Sequence, residues 1–357
     1  MGILRKVCWS WRLMAAIVTA MVIAACSDDG VKNGNGEMAG PLPVTFHIGT
    51  PESEEVEYTR IMQDASETRI NRLTVYDFLV KESTEAGKAD TLFESVQYLT
   101  DAGDGITTPK AGQFIRTDVG ATACLSLHTE EGTQHVFAFI ANEEKTHFDS
   151  ILYQKILPID SLRRTLSVRR LKSGESCGSL VGEKGAVMTG TSVPLNFPTD
   201  LKDMEKMKVK LYRTMARVDV KHEVVDGQNL RIVDVSAKNC APTSYLFGAG
   251  SDGKANVETV PKGFSPISIV RNSAVKTEDL ESLKQGQTCG KVLYLYEYPT
   301  TEKLMPTLIL TYTLNGSPRT MEVPMTSGGA RIEIKRNRKY TLVIGGTDTR
   351  MTYTIRE

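Results

Sequence analysis

The sequence predicts an all-β chain folded as two tandem antiparallel β-sandwiches. Short segments of alternating apolar and polar residues, rich in β-branched and aromatic side chains, recur along most of its 357 residues. An Asn-Gly pair splits two of these segments in the manner of a tight hairpin. A passage rich in Gly, Ser and Pro interrupts the pattern near its middle.

The first residues belong to neither sandwich. Arg5, Lys6 and Arg12 precede an uncharged run, Leu13 to Ala25, that ends in VIAACSDDG, Val22 to Gly30. A bilayer span needs about 20 apolar residues. This shorter run, with basic residues before it and small residues at its end, reads as a secretory signal over 1–25. Its removal leaves 40 Lys and Arg against 43 Asp and Glu, a net charge of −3. That balance gives no footing for nucleic acid. GVKNGNGEMAGPLP, Gly30 to Pro43, lacks bulky apolar residues apart from scattered ones, so 26–42 reads as a flexible tether.

Strands are expected at Val44–Ile48, Arg72–Val80, His135–Ala141, Lys208–Tyr212, Ala216–Val224, Val292–Tyr298, Thr307–Leu314, Ala330–Ile334 and Tyr340–Ile344. Asn315-Gly316 supplies the hairpin between Leu314 and Ser317. Asp149–Arg170 and a short Thr277–Leu283 piece read as helical, the latter with Thr277 and Asp279 as its capping pattern. CGSLVGEKGAVMTGTSVPLNFPTD places the boundary near Asn196 to Asp200, giving domains over 43–197 and 198–357.

Patterns that carry chemistry are weak. Gly174-Glu175-Ser176-Cys177-Gly178 matches G-x-S-x-G, but that motif works between a buried strand and a helix, and here basic residues precede a Gly-rich loop. His128 and His135 bracket HTEEGTQH, whose spacing fits no zinc signature and reads as a hairpin tip. Asp101-Ala102-Gly103-Asp104-Gly105 has the residues of a turn as much as those of a calcium loop. No catalytic, metal or cofactor residue is assigned, and the chain is not expected to be an enzyme. Cys124, Cys177, Cys240 and Cys289 allow three disulfide pairings or none. Both tryptophans, Trp9 and Trp11, precede the cleavage point, and Tyr212, Tyr294, Tyr296 and Tyr298 lie in expected strands. Sugar stacking of the kind a glycan-binding surface lipoprotein uses therefore has little to work with.

Ile23-Ala24-Ala25-Cys26 resembles the lipobox of bacterial lipoproteins, in which Cys26 would take the lipid, and Ser27-Asp28-Asp29 resembles the export tag of Bacteroidota surface lipoproteins. RINRLTVYDFLV, LHTEEGTQHVFAFIANE, AVMTG, LYRTMARVDVKHEV and IKRNRKYTLVI, in that order, resemble successive blocks of the fimbrillin family, subunits of Bacteroidota type V pili. The resemblance implies two transthyretin-like sandwiches, anchoring in the outer membrane through Cys26, and a place in the fimbrium. It implies partners that are other fimbrial subunits, joined by β-strand exchange, and adhesion to a host or bacterial ligand that the sequence does not name. It also implies cleavage by an Arg-specific protease ahead of the first retained strand, where Arg60 and Ile61 stand in PESEEVEYTRI. Loss of Val44–Ile48 with the leader would open a groove for another chain. Only GGTDTRMTYTIRE follows Tyr340–Ile344, which favours a minor, tip-located or anchor subunit over a repeated stalk subunit. Gly345-Gly346 is expected to turn this tail back onto its own sheet, with Met351, Tyr353 and Ile355 as its apolar face.

Overall fold

The computed structural model describes residues 41–50, 65–82, 89–117, 120–128, 130–143, 159, 169–224, 229–247, 263–346 and 351–356. Cys26, Arg60, Ile61 and nearly all of the expected Asp149–Arg170 helix lie outside them.

The chain is nearly all β. The amino-terminal sandwich holds β1 (Leu42–Gly49), β2 (Leu73–Glu82), β3 (Ala89–Asp101), β4 (Gln113–Thr117), β5 (Gly120–Leu127) and β6 (Gln134–Ala141). A single turn of helix, α1 (Ala65–Thr68), precedes β2. After β7 (Glu175–Ser176), which belongs elsewhere, come β8 (Met188–Thr191), β9 (Leu195–Asn196), β10 (Lys208–Lys210) and β11 (Tyr212–Arg213). The hydrogen-bonded path runs β10-β1-β5-β4-β3-β2-β6-β8-β11, with β9 beside β6. Its corner is the β3–β4 contact, parallel and only two residue pairs long. There the sheet folds over, so that Phe46 of β1 faces Phe137 and Phe139 of β6, each 5.1 Å away between ring centroids.

The carboxy-terminal sandwich packs one sheet in the order β15-β12-β20-β21 on another in the order β17-β16-β13-β14-β7. Its strands are β12 (Met215–His222), β13 (Leu230–Cys240), β14 (Ile267–Val270), β15 (Thr288–Tyr296), β16 (Thr307–Leu314), β17 (Ser317–Pro324), β20 (Lys339–Gly346) and β21 (Met351–Arg356). A small ladder of β18 (Thr326–Ser327) and β19 (Ala330–Arg331) lies beside them. The hairpin is the expected one: Leu314 pairs with Ser317, and Asn315 and Gly316 both take positive φ, 51° and 81°. Two consecutive left-handed residues match the strand twist, and Asn and Gly tolerate that conformation best.

Several local expectations need correction. Lys208–Tyr212 is not one strand, because the chain crosses between sheets at the fully buried Leu211 and splits into β10 and β11. Of Ala330–Ile334 only β19 is strand, with an isolated bridge from Ile334 to Tyr298. α2 (Thr277–Glu281) is capped one residue before the expected position: Thr277 is its first residue, Lys276 is the N-cap, and the Lys276 backbone N–H donates to the Asp279 carboxylate at 2.8 Å. Thr277 instead accepts a hydrogen bond from Arg271. Each core draws chain from both sides of residue 197. Leu171, Cys177, Leu180 and Ala186 pack in the carboxy-terminal core, whereas Met207, Val209 and Leu211 pack in the amino-terminal one.

Candidate functional site

The most unusual element is β1. It is the first described strand, yet it lies inside the amino-terminal sheet, with β5 on one side and β10 on the other. Alternation decides its two faces. Val44, Phe46 and Ile48 are 1%, 0% and 3% exposed, while Thr45 and His47 between them are half-buried on the opposite face. Burying three such side chains stabilises by roughly 5 to 9 kcal/mol, taking about 1.5–3 kcal/mol for each. That is comparable to the net stability of a whole domain. An empty slot therefore costs about as much as the fold has to spare.

The slot is shaped for this strand. Across the antiparallel ladder Phe46 faces Ala123 and Ile48 faces Ala121, so small residues on β5 leave room for large ones on β1. Eight residue pairs join β1 to β5, from Leu42 with Leu127 to Gly49 with Gly120. On the other side β10 runs parallel, pairing His47 with Lys208 and Gly49 with Lys210. The His47 N–H donates to the Met207 carbonyl at 3.0 Å, and the Leu211 N–H donates to the Gly49 carbonyl at 2.8 Å. Gly120 marks the closest approach, since a Cβ there would lie 1.8 Å from the Ile48 carbonyl oxygen. Any other residue would push the end of β1 out of register. Burial, and then the Lys208 ammonium, hold the pKa of His47 below its ordinary value.

Taking β1 away would leave unpaired main-chain groups on both β5 and β10, above an apolar floor that includes Phe137 and Phe139. Sequence reasoning identified β1 but missed β10, which it grouped with the carboxy-terminal strands. KVKLY shows the alternation that buries Val209 and Leu211, but nothing in it tells which sheet receives them.

The other sequence candidates resolve into structure. Ser176 caps the 3-10 turn Cys177–Leu180: its hydroxyl donates to the Arg271 carbonyl at 2.8 Å and accepts from the Ser273 and Gly178 N–H groups. His128 and His135 do not flank a hairpin tip, because β5 and β6 lie in different parts of the folded sheet and the turn carries the chain across the sandwich. His135 is buried, with Nδ1 2.7 Å from the Asp77 carboxylate and Nε2 3.1 Å from the Thr133 hydroxyl. Asp101 closes its own turn, accepting from the Gly103 N–H at 3.1 Å and pairing with Arg116 at 2.6 Å. Tyr294, Tyr296 and Tyr298 are buried, and their hydroxyls donate to Glu67, to the Arg169 carbonyl and to the Leu304 carbonyl. Those rings are not available to stack on a sugar.

Among the described residues, Cys124, Cys177, Cys240 and Cys289 form no disulfide. Burial raises Cys177 to about 12 and Cys289 to about 11, and raises Cys240 as well, which keeps these sulfurs protonated and unreactive. Among the described residues no cluster of His, Cys, Asp and Glu could hold a metal ion, and no helix is long and apolar enough to cross a membrane.

At the carboxy-terminal end β21 pairs antiparallel with β20, from Thr341 with Arg356 to Gly346 with Met351. Gly345 and Gly346 sit inside this ladder and not in its turn. Only part of the expected apolar row is covered: Ile355 is 2% exposed, Met351 is half-buried, and Tyr353 is 37% exposed.

No protein family matches the sequence, and no curated protein does. Solved structures do match the fold. A fimbrial assembly protein from Parabacteroides distasonis ATCC 8503 aligns over 89% of this chain and 96% of its own, at 13% identity and a TM-score of 0.53. A candidate cell adhesion protein from the same organism aligns over 87% of this chain and 90% of its own, at 14% identity and a TM-score of 0.51. The fold is thus that of Bacteroidota fimbrial and cell-adhesion proteins, in agreement with the fimbrillin resemblance carried by the sequence blocks.

Proposed function

We propose that this protein is a surface-exposed fimbrial subunit with a role in adhesion, exported as a lipoprotein on Cys26 and assembled by β-strand exchange through the β1 slot. The observation that carries this reading is the placement of β1. It is a core strand bonded on both edges, and it connects to the rest of the sandwich only through residues 50–64, which contain Arg60. Cleavage between Arg60 and Ile61 would turn an intramolecular strand into a dissociable one. The energetic cost of an empty slot then favours refilling by a strand of another subunit.

The fold likeness to fimbrial and adhesion proteins supports the same reading, as does the lipobox. The pairing of β21 with β20 supports a minor or tip-located subunit, because Met351–Arg356, seated on its own sheet, is not free to be donated to a neighbour. The protein would then reside at the outer membrane while lipid-anchored, and in the fimbrium once cut.

The test is the amino terminus of the protein in purified surface fibres. A start at Ile61 is expected, together with loss of the protein from fibres in Arg60→Ala. Fibres that contain Arg60→Ala at the normal level, or that contain neither form, would overturn the reading. A start at Cys26 in fibres would identify a lipid-retaining anchor instead.

A further inference from the structure

Among the described residues, apart from the place where the chain crosses and the Asn142 amide donates to the Ala186 carbonyl at 2.8 Å, two of the contacts between the sandwiches are each organised by a carboxylate and a guanidinium that are buried or half-buried. The first is made by α1. The Glu67 carboxylate accepts from the Tyr294 hydroxyl of β15 at 2.6 Å and from Arg217 Nη1 of β12 at 3.0 Å. Its backbone carbonyl accepts from Arg213 Nε at 3.1 Å, and Arg213 reaches on to the Asn337 side chain at 3.1 Å. Three residues further along, Ile70 is buried in the amino-terminal core and its carbonyl accepts from Arg116 at 2.9 Å. The short stretch from Glu67 to Ile70 is therefore bonded to one sandwich and packed into the other. Burial, and then the Glu67 charge, raise the Tyr294 hydroxyl well above its ordinary range, so it stays a donor.

The second contact is the segment 241–247. Leu246 and Phe247 pack with Tyr76, Phe78, Val136, Ala138 and Ile140 on the outer face of β2 and β6. The Thr189 hydroxyl of β8 donates to the Leu246 carbonyl at 2.9 Å. Behind the segment, Arg336 donates to the same Leu246 carbonyl at 2.9 Å, to the Tyr245 carbonyl at 2.7 Å and to the Glu297 carboxylate at 2.5 Å. Ser244 completes the cluster by donating to Glu297 at 2.9 Å. Arg336 and Glu297 are 2% and 1% exposed. Withdrawing the segment would leave that pair with fewer partners in a dry site, which is costly.

The chain crosses between the sandwiches both between Leu180 and Val187 and at Thr214, side by side where the Thr214 N–H donates to the Val187 carbonyl at 3.1 Å. One further contact would still leave an axis of rotation, and motion of that kind is the ordinary expectation for two domains. Two contacts on different faces remove it. We propose that Glu67 and the Leu246-Phe247 segment form a two-point lock that makes the two sandwiches one rigid body, with Glu67 as a positioning residue that fixes the β1 slot relative to the carboxy-terminal sandwich. The lock explains why Arg213, Arg217 and Arg336, in sequence blocks otherwise made of strand residues, are charged and yet buried or half-buried. It lies wholly downstream of Arg60, so it persists whether or not the leader is cut, and it does not depend on strand exchange.

The test uses the full chain carrying Cys8→Ser, Cys26→Ser and Cys289→Ser, with spin labels at the exposed positions Lys110→Cys and Arg319→Cys. One narrow distance distribution and a single calorimetric transition are expected. Glu67→Ala should broaden the distribution and split the transition, and Glu67→Gln, which keeps an acceptor for Tyr294, should broaden it less. Phe247→Ala disturbs the other contact and should broaden it also, which decides the matter should Glu67→Ala fail to fold. A broad distribution with the lock intact, or a narrow one kept in the folded lock variants, overturns the proposal.

Discussion

Phe46 is the side chain on which the seating of β1 should depend most. It is fully buried and lies 5.1 Å from both Phe137 and Phe139. Truncating such a side chain costs about 3–5 kcal/mol, the transfer cost plus a cavity that neighbouring rings fill only in part. In the uncut chain Phe46→Ala should lower stability to denaturant by that amount. After cleavage at Arg60 the same loss falls on the affinity of the leader for the slot, roughly two to three and a half powers of ten at 1.4 kcal/mol for each factor of ten. The assay is mild trypsin treatment of the folded protein, followed by the rate at which the fragment ending at Arg60 leaves the remainder in native mass spectrometry. Ile106→Ala, at a side chain 49% exposed in the same sandwich, should stay within about 0.5 kcal/mol and leave the rate unchanged. A Phe46→Ala leader that leaves as slowly as the unaltered one would refute the assignment of β1 as the core strand of a separable slot.

Three further outcomes are expected. Cys26→Ala should abolish incorporation of labelled palmitate and leave unprocessed precursor, and unchanged labelling would end the lipoprotein assignment. Release of the cut leader should depend on pH through His47. Its seated pKa is depressed, so the released strand binds more protons. Seating is therefore fully strong above the ordinary value of about 6.5 and weakens as pH falls through it, levelling off below the seated pKa. Release rates at pH 8 and pH 5 should differ in the native leader and much less in His47→Gln; equal rates in both would remove His47 from the seating. Glu297→Ala should cost about 3–5 kcal/mol in urea unfolding, because Arg336 is left charged, buried and unpaired, whereas Glu297→Leu with Arg336→Met should recover much of that loss. A single variant as stable as the parent would show that the pair is not desolvated.

Much of the fold was legible because strand alternation is a local signal. Thr307–Leu314 was read to its limits, and Asn315-Gly316 fixed the hairpin that follows, since both features are decided by residues within a few positions of one another. What was not legible depends on long-range pairing. KVKLY gave no hint that it would split between two sheets, and HTEEGTQH looked like a hairpin although its flanking strands never pair with each other. The lock shows the same limit: Glu67 and Tyr294 are 227 positions apart, and no local pattern announces their 2.6 Å hydrogen bond. At the candidate site, the buried face of β1 was visible as Val44, Phe46 and Ile48. The partner that makes β1 a central strand, β10, was not.

The most direct test of a replaceable β1 is binding of a labelled peptide with the sequence Leu42–Gly49, LPVTFHIG, to protein that has been cut at Arg60 and freed of its leader. The expected result is one peptide bound per emptied protein, none bound to the uncut protein, and at least a hundredfold weaker binding of the peptide with Phe46→Ala, from a loss of about 3 kcal/mol or more. Equal binding to cut and uncut protein, or no binding to an emptied protein that remains folded, would contradict strand exchange through this slot.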